Sequence, residues 1–100
     1  MGNVILMKSI IQEQKECYVC HSKTWLHEHH IWFGKNRSKS EQDGLKVYLC
    51  YSHHEGTNGI HGKNGHELDL RLKKIAEQRW LEVNESTIDE FIRRYGRNVL

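Results

Sequence analysis

The stretch "TWLHEHHIWFGKNRSKSEQDGLKVYLC", residues 24–50, decides the fold of this chain. Its two ends, "TWLHEHHIWF" and "LKVYLC", are rich in β-branched, aromatic and leucine residues, which favour strands. Between them, "KNRSKSEQDG" has the Asn, Ser, Asp and Gly content that is typical of a surface loop. The sequence therefore predicts a two-stranded antiparallel ribbon whose strands are joined by an exposed basic loop from Lys35 to Gly44.

Two pairs of metal-binding residues with identical spacing flank this ribbon. Cys17 and Cys20 precede it in "CYVC", and Cys50 and His53 follow it in "CYSH". A gap of two residues lets a tight turn aim both side chains at one ion, and three cysteines with one histidine form a standard structural zinc set. The prediction is a structural Zn²⁺ site; the alternative is a group of unrelated buried cysteines with a surface histidine.

The composition fits a small domain that needs such a metal. The chain has 100 residues, of which 37% are hydrophobic, so its core is modest and a zinc ion would add stability. A formal charge of +2 neither identifies nor excludes a nucleic-acid partner. Because no signal peptide or membrane-spanning run is apparent, we expect a cytosolic protein with reduced thiols and no membrane partner.

The remaining segments are assigned from local patterns. Residues 1–16 form an N-terminal arm, in which "SIIQEQKE" is either a brief helix or a segment packed on the domain of residues 17–100. "HHEGTNGIHGKNGH" contains four glycines and should hold no long regular element. Apolar residues at helical spacing predict a helix of roughly Glu67 to Glu82. Core packing is the expectation for Trp25, Trp32 and Trp80.

A second C-terminal helix begins in "STIDEF" and should end at Gly96. Two capping pairs are compatible with its start, Ser86 with Asp89 and Thr87 with Glu90.

Several histidines remain after the zinc site is assigned. In an extended strand, His27 and His29 lie on one face and His30 on the other, so neighbouring histidines can have different tasks. The zinc site should bring His54 near His29, and His61 should return from the glycine-rich segment to the same place. His27 is either a supporting group or simply exposed to solvent.

The order of these motifs resembles a known superfamily. It is similar to the order found in the HNH endonucleases. That order is Cys-x-x-Cys, then "HHI", then "LC", which opens the second pair of metal-binding residues (a second zinc knuckle), and then a histidine directly after it. The fold of the HNH endonucleases is a ββα-metal motif with a bound zinc knuckle. The segments "HHIWFGKNRSKSEQDGLKVYLC", "IHG" and "EFIRRYGRNVL" also resemble small phage proteins related to RecA-dependent recombination-enhancement nucleases.

The resemblance implies a role for each histidine. His29, His54 and His61 would bind a catalytic divalent metal, which could be Mg²⁺, Mn²⁺, Ni²⁺ or Zn²⁺, and His30 would be the general base. The central Asn of the motif has no clear match, and Asp43 and Gly44 fall closest to its place. The resemblance also implies DNA as substrate, a recombinase filament on single-stranded DNA as partner, and the bacterial cytosol as location if the chain is phage-encoded.

The sequence thus predicts an α+β fold with a ββα-metal core, a structural zinc and two C-terminal helices. The predicted function is metal-dependent hydrolysis of DNA phosphodiester bonds with low sequence specificity. The alternative is a zinc-knuckle module that binds nucleic acid or a recombinase without catalysis, and the oligomeric state stays open. The basic residues expected to contact DNA are Lys35, Arg37, Lys39 and Arg94.

Overall fold

The computed structural model describes residues 8–100, so the apolar patch of residues 4–7 lies outside the described part. The described chain is a small α+β fold of two strands and four α-helices. In chain order the elements are β1 (Leu26–His30), a 3-10 turn (Gly34–Asn36), α1 (Arg37–Asp43), β2 (Lys46–Cys50), α2 (Tyr51–His54), α3 (His66–Asn84) and α4 (Ile88–Tyr95).

The two strands form the predicted antiparallel ribbon. In their register, His29 is opposite Val47 and His30 is opposite Lys46. Val47 and Leu49 are buried, which fixes the register because a slip by one residue would expose them. The ribbon therefore directs the adjacent residues His29 and His30 to opposite faces of β1, as the sequence predicted.

The expectation of an exposed loop from Lys35 to Gly44 was wrong. This segment is helical, and Asn36 and Ser40 within it are buried. The Ser40 hydroxyl donates to the carbonyl of Trp32 at 2.5 Å and accepts from its N–H at 3.1 Å. Local composition indicated a loop, but these bonds to Trp32, two residues after β1, satisfy the polar side chain inside the fold.

Both C-terminal helices are confirmed. The prediction of Glu67 to Glu82 corresponds to α3, and α4 starts with a capping box in which Thr87 and Glu90 bond each other's backbone. Gly96 ends α4 with a left-handed φ of 95°. Within residues 8–100, no helix is sufficiently long and apolar to cross a membrane.

Helices α3 and α4 and the segment after β1 form an aromatic core. Phe91 lies at the centre, with ring centroids 4.6 Å from Tyr95, 5.2 Å from Trp32 and 5.3 Å from Trp80. These distances are those of stacked and edge-to-face aromatic pairs, which contribute beyond simple burial. The core therefore joins the segment after β1 to both C-terminal helices.

One carboxylate joins three helices at the edge of this core. Asp43, the last residue of α1, accepts hydrogen bonds from Trp80 at 3.0 Å, from the Tyr95 hydroxyl at 2.6 Å and from Arg94 at 2.6 and 2.9 Å. Burial and the bond to Asp43 raise the pKa of Tyr95. Asp43 thus ties α1 to α3 and α4.

The described part of the N-terminal arm packs on β2 without forming a helix. The Ser9 hydroxyl donates to the carbonyl of Lys46 at 2.6 Å, and the N–H of Tyr48 donates to the side-chain oxygen of Gln12 at 2.8 Å. The guanidinium of Arg79 donates to the carbonyl of Ile10 at 2.9 Å. Of the two alternatives for this segment, the packed arm is correct for residues 8–16.

Candidate functional site

The four predicted zinc ligands lie together and could hold a metal ion such as zinc. Their ligand atoms all lie within 4.8 Å of one another, and we call Cys17, Cys20, Cys50 and His53 the zinc-ligand cluster. The sulfurs of Cys20 and Cys50 are 3.8 Å apart, and Nδ1 of His53 is 3.6 Å from the sulfur of Cys17 and 3.2 Å from that of Cys50. Tetrahedral zinc with ordinary bond lengths requires about 3.8 Å between two sulfurs and about 3.6 Å between sulfur and nitrogen. The side chains thus have nearly the spacing that the ion demands.

The electrostatics of Cys17 also suit a metal. Burial raises the pKa of its thiol, but N–H groups of the Cys50, Cys20 and Val19 backbone point at the sulfur and lower the pKa to about 6. A thiolate is the form of cysteine that binds metal. The backbone around the zinc-ligand cluster therefore stabilises Cys17 as the thiolate that metal binding requires.

A second group of histidines lies beside this cluster. His29 comes from β1, His54 from the end of α2, and His61 from the glycine-rich segment; together we call them the histidine cluster. The ring centroids of His29 lie 5.1 Å from those of His54 and 5.5 Å from those of His61, and His54 and His61 are 4.8 Å apart. Their ligand nitrogens lie within 4.8 Å of one another, so the three rings could hold one ion. These are the three residues that the sequence analysis grouped, and the structure places them together.

His29 has the features of a metal ligand. Its side chain is 2% exposed, and its Nε2 has no hydrogen-bond partner within residues 8–100. Burial, followed by the nearby His54 and His61, lowers the pKa of His29 to about 3, and burial also lowers the pKa of His54. A buried ring nitrogen without a partner is costly, and a cation would supply one. The residues therefore fit a bound divalent ion.

The position of His61 depends on a compact coil of glycines. Glycine recurs at every third residue through this coil, at positions 56, 59, 62 and 65. A Cβ added at Gly62 would lie 1.9 Å from the carbonyl oxygen of Gly56, and one at Gly65 would lie 1.8 Å from that of Gly59. The N–H of His61 donates to the carbonyl of His54 at 2.9 Å. Direct packing of backbone on backbone thus brings His61 to the cluster.

His27 supports the cluster from outside. Its Nδ1 lies 2.8 Å from Nδ1 of His54, so one ring donates a hydrogen bond to the other. A histidine that binds a metal through one nitrogen is commonly oriented by a bond at the other. Of the two possibilities for His27, the geometry favours the supporting group.

His30, the last residue of β1, lies on the other face of the strand from His29, as predicted, and both residues border one cleft at this end of the strand. His30 is 6% exposed, and its Nε2 lies 2.7 Å from Oε1 of Glu41. The other oxygen of Glu41 accepts from Lys46 at 2.8 Å, and Glu28 is 4.0 Å from His30. The bonds from Lys46 and then from His30 lower the pKa of Glu41. Sequence reasoning missed Glu41 because it was assigned to an exposed loop.

The four predicted DNA contacts have different environments. Arg37 lines the same cleft as the histidine cluster and His30, a cavity of about 300 Å³. Lys35 is exposed. Lys39, however, donates to the carbonyl of Arg94 at 2.7 Å, and Arg94 is paired with Asp43. Of these four residues, Arg37 is the one that lines the cleft of the histidines, while Lys39 and Arg94 hold the fold together.

The comparisons with known proteins returned no relative. No protein-family model matches the chain, and neither a curated protein nor a solved structure matches it. The functional conclusion therefore rests on the geometry of the site.

Proposed function

We propose that this protein is a metal-dependent endonuclease of the HNH type that hydrolyses DNA phosphodiester bonds. The observation that carries the proposal is the buried Nε2 of His29, which lies between His54 and His61 and has no hydrogen-bond partner among residues 8–100. A zinc module that only binds a partner has no need for a second group of convergent imidazoles beside its zinc ligands.

The order of elements supports the same proposal. Two antiparallel strands lead directly into a short helix, and the zinc-ligand cluster joins the segment before β1 to that helix. This is the arrangement expected of a ββα-metal core. The cluster holds His53 in place, and the next residue, His54, is thereby held against β1.

The chemistry needs a cation and a base in one cleft. A divalent ion bound by His29, His54 and His61 would neutralise charge that develops on the phosphate during hydrolysis. Uncharged nitrogen ligands suit Zn²⁺, Ni²⁺ or Co²⁺, and Mg²⁺ or Mn²⁺ would serve if phosphate oxygens complete the coordination.

His30 is the proposed general base. Because its Nε2 is bonded to Glu41, Nδ1 is the nitrogen left to accept a proton from water. Glu41 fixes the ring and would stabilise the imidazolium that proton transfer creates. Arg37, in the same cleft, would bind the scissile phosphate.

The substrate and partners follow from this assignment. DNA is the proposed substrate, and so small a domain offers little surface for reading sequence, so low specificity is expected. A recombinase filament on single-stranded DNA is the proposed partner, based on the resemblance described above.

The test is cleavage of supercoiled plasmid and of circular single-stranded DNA in Mg²⁺, Mn²⁺ and Ni²⁺. Wild type is compared with His30→Ala, His54→Ala and a control, His66→Ala, which removes an exposed histidine outside both clusters. Each protein must first contain one tightly bound zinc. We expect the wild type and the control to cut and the two site variants to be inactive. If zinc-loaded wild type cuts neither DNA with any ion or added filament, the non-catalytic binding module replaces the nuclease.

A further inference from the structure

One tryptophan lies on the surface beside the zinc-ligand cluster, contrary to the expectation that all three would be in the core. Trp32 and Trp80 are 2% and 7% exposed, as predicted, but Trp25 is 81% exposed. Tryptophan is the largest apolar side chain, and it is enriched where proteins bind other molecules. The exposure of Trp25 therefore needs a reason other than packing.

The backbone at Trp25 adds to this requirement. Its φ is 52°, in the left-handed region that residues with a bulky side chain rarely adopt. Conformations of this kind are held by the surrounding structure and cluster at functional sites. Here the adjoining residue, Leu26, begins β1, so the strained position sets where the indole leaves the ribbon.

A second exposed aromatic side chain lies in the same place. Tyr51, the first residue of α2, is 58% exposed. Trp25 and Tyr51 line one shallow cavity of about 360 Å³, whose other walls include the zinc ligands Cys20, Cys50 and His53. The zinc-ligand cluster thus holds both aromatic residues on one surface.

This surface is continuous with the histidine cluster. The Tyr51 ring lies 6.2 Å from that of His27, edge to face, and the His27 ring lies 5.0 Å from that of His54. Two ring contacts therefore separate Tyr51 from a residue that would hold the catalytic ion.

We propose that Trp25 and Tyr51 form a stacking platform for unpaired bases of single-stranded DNA, which guides the strand to the histidine cluster. Every base has a π-face, so aromatic stacking binds a single strand without reading its sequence. The bases of a duplex are already stacked on each other and cannot use the platform. Exposed Lys23, two residues before Trp25, supplies a cation for the backbone. The role in guiding the strand rests on the proposed nuclease function, whereas the stacking itself does not.

The experiment uses the zinc-loaded protein without added catalytic metal, so that binding is measured without cleavage. The probe is a single-stranded oligothymidylate of about twelve nucleotides. The controls are a strand of the same length that has the sugar-phosphate backbone but no bases, and a blunt-ended DNA duplex. Because the other two tryptophans are buried, quenching of the solvent-exposed emission reports on Trp25. We expect the oligothymidylate to quench this emission and to bind more tightly than either control.

Three variants separate stacking from structure. Trp25→Ala and Tyr51→Ala should each weaken oligothymidylate binding by roughly 5- to 100-fold, measured by fluorescence anisotropy, and leave binding of the abasic strand unchanged. Val83→Ala, which shortens an exposed apolar side chain on α3, should change neither.

A substitution that relieves the backbone provides an independent readout. Asn tolerates the left-handed region, so Trp25→Asn should keep or raise the melting temperature while weakening binding as Trp25→Ala does. A residue kept for stability would show a loss of melting temperature.

The outcomes distinguish this inference from the proposed nuclease. If Trp25→Ala binds both strands like the wild type yet the wild type cuts DNA, the platform is wrong and the nuclease stands. If Trp25→Ala loses oligothymidylate binding while no protein cuts DNA, stacking stands without catalysis. A dimer that depends on Trp25, with no effect of DNA on emission, would replace the platform by a contact between two copies of the chain.

Discussion

Asp43→Ala tests whether the fold around the site depends on one carboxylate. The substitution removes the acceptor for Trp80, Tyr95 and Arg94, which come from α3 and α4, while the acceptor itself comes from α1. Since α1 also carries Glu41, loss of this junction would free the helix that positions the proposed base.

The expected cost follows from the burial of each donor. Tyr95 and Trp80 are 2% and 7% exposed, so their donors would be left unpaired away from water, at about 1–3 kcal/mol each. The Arg94 side chain is 32% exposed and can turn to solvent, so its share is no more than about 1 kcal/mol. The free energy of unfolding should therefore fall by about 2–7 kcal/mol, which lowers the melting temperature of a domain this size by at least about 8 °C.

Calorimetry and urea unfolding of the zinc-loaded proteins measure this effect. Asp43→Asn is the matched control. Trp80 and Tyr95 both donate to Oδ2, so an amide oxygen in that place keeps both buried donors, while the amide NH₂ replaces the oxygen that accepts from Arg94. This variant should therefore lose only the share of Arg94, no more than about 1 kcal/mol. A fall of less than about 4 °C for Asp43→Ala would show that water replaces the carboxylate, and the junction would have no special role.

Four further predictions concern the metal clusters and two glutamates. Removal of zinc with a strong chelator should unfold much of the domain, because ribbon and α2 are joined through the zinc ligands; circular dichroism that stays unchanged after verified metal loss would contradict this. Glu41→Ala should lower kcat of DNA cleavage by roughly 10- to 100-fold with little change in KM, and Glu41→Gln should restore part of the loss; equal effects of both variants on KM would point to DNA binding instead. Glu77 is fully buried, and burial raises its pKa, so the folded protein favours the protonated carboxyl. The stability of the wild type relative to Glu77→Gln should therefore decline as pH rises above about 4.3, the ordinary pKa of a glutamate. A difference in melting temperature that stays constant from pH 4 to 8 would refute the raised pKa of Glu77. Gly62→Ala should abolish metal binding at the histidine cluster while the zinc stays bound, as measured by metal analysis, because the added Cβ meets the Gly56 carbonyl; an unchanged second metal site would mean that the coil relaxes at no cost.

The features that could be predicted from the sequence are those that depend on residues close together along the chain. The capping box at Thr87 and Glu90, the strand alternation of His29 and His30, and the matched spacing of the cysteine knuckles each involve residues a few positions apart. Their geometry follows from regular backbone and needs no knowledge of the rest of the fold. The strand alternation and the grouping of the four knuckle residues agree with the predictions, and the capping box is one of the two pairs that the sequence left open.

Features that depend on distant partners were not readable. Ser40 and Asn36 indicated a loop until their bonds to Trp32 and Tyr95 were known. Trp25 was assigned to the core because composition alone treats every tryptophan alike. Glu41 could have been noticed only by placing "SKSEQ" on a helix that faces His30, and no local pattern required that helix.

The glycine coil has a consequence for how this chain can vary. Every codon for glycine begins with two guanines, and any single-base change that alters the amino acid introduces a Cβ or ends translation. At positions 56, 59, 62 and 65 that Cβ would lie within 2.6 Å of backbone atoms. No single-base change at these four codons gives a different amino acid that the backbone of the coil can accommodate without moving. The segment that brings His61 to the cluster is thus a genetically brittle part of the gene, although it has no regular secondary structure.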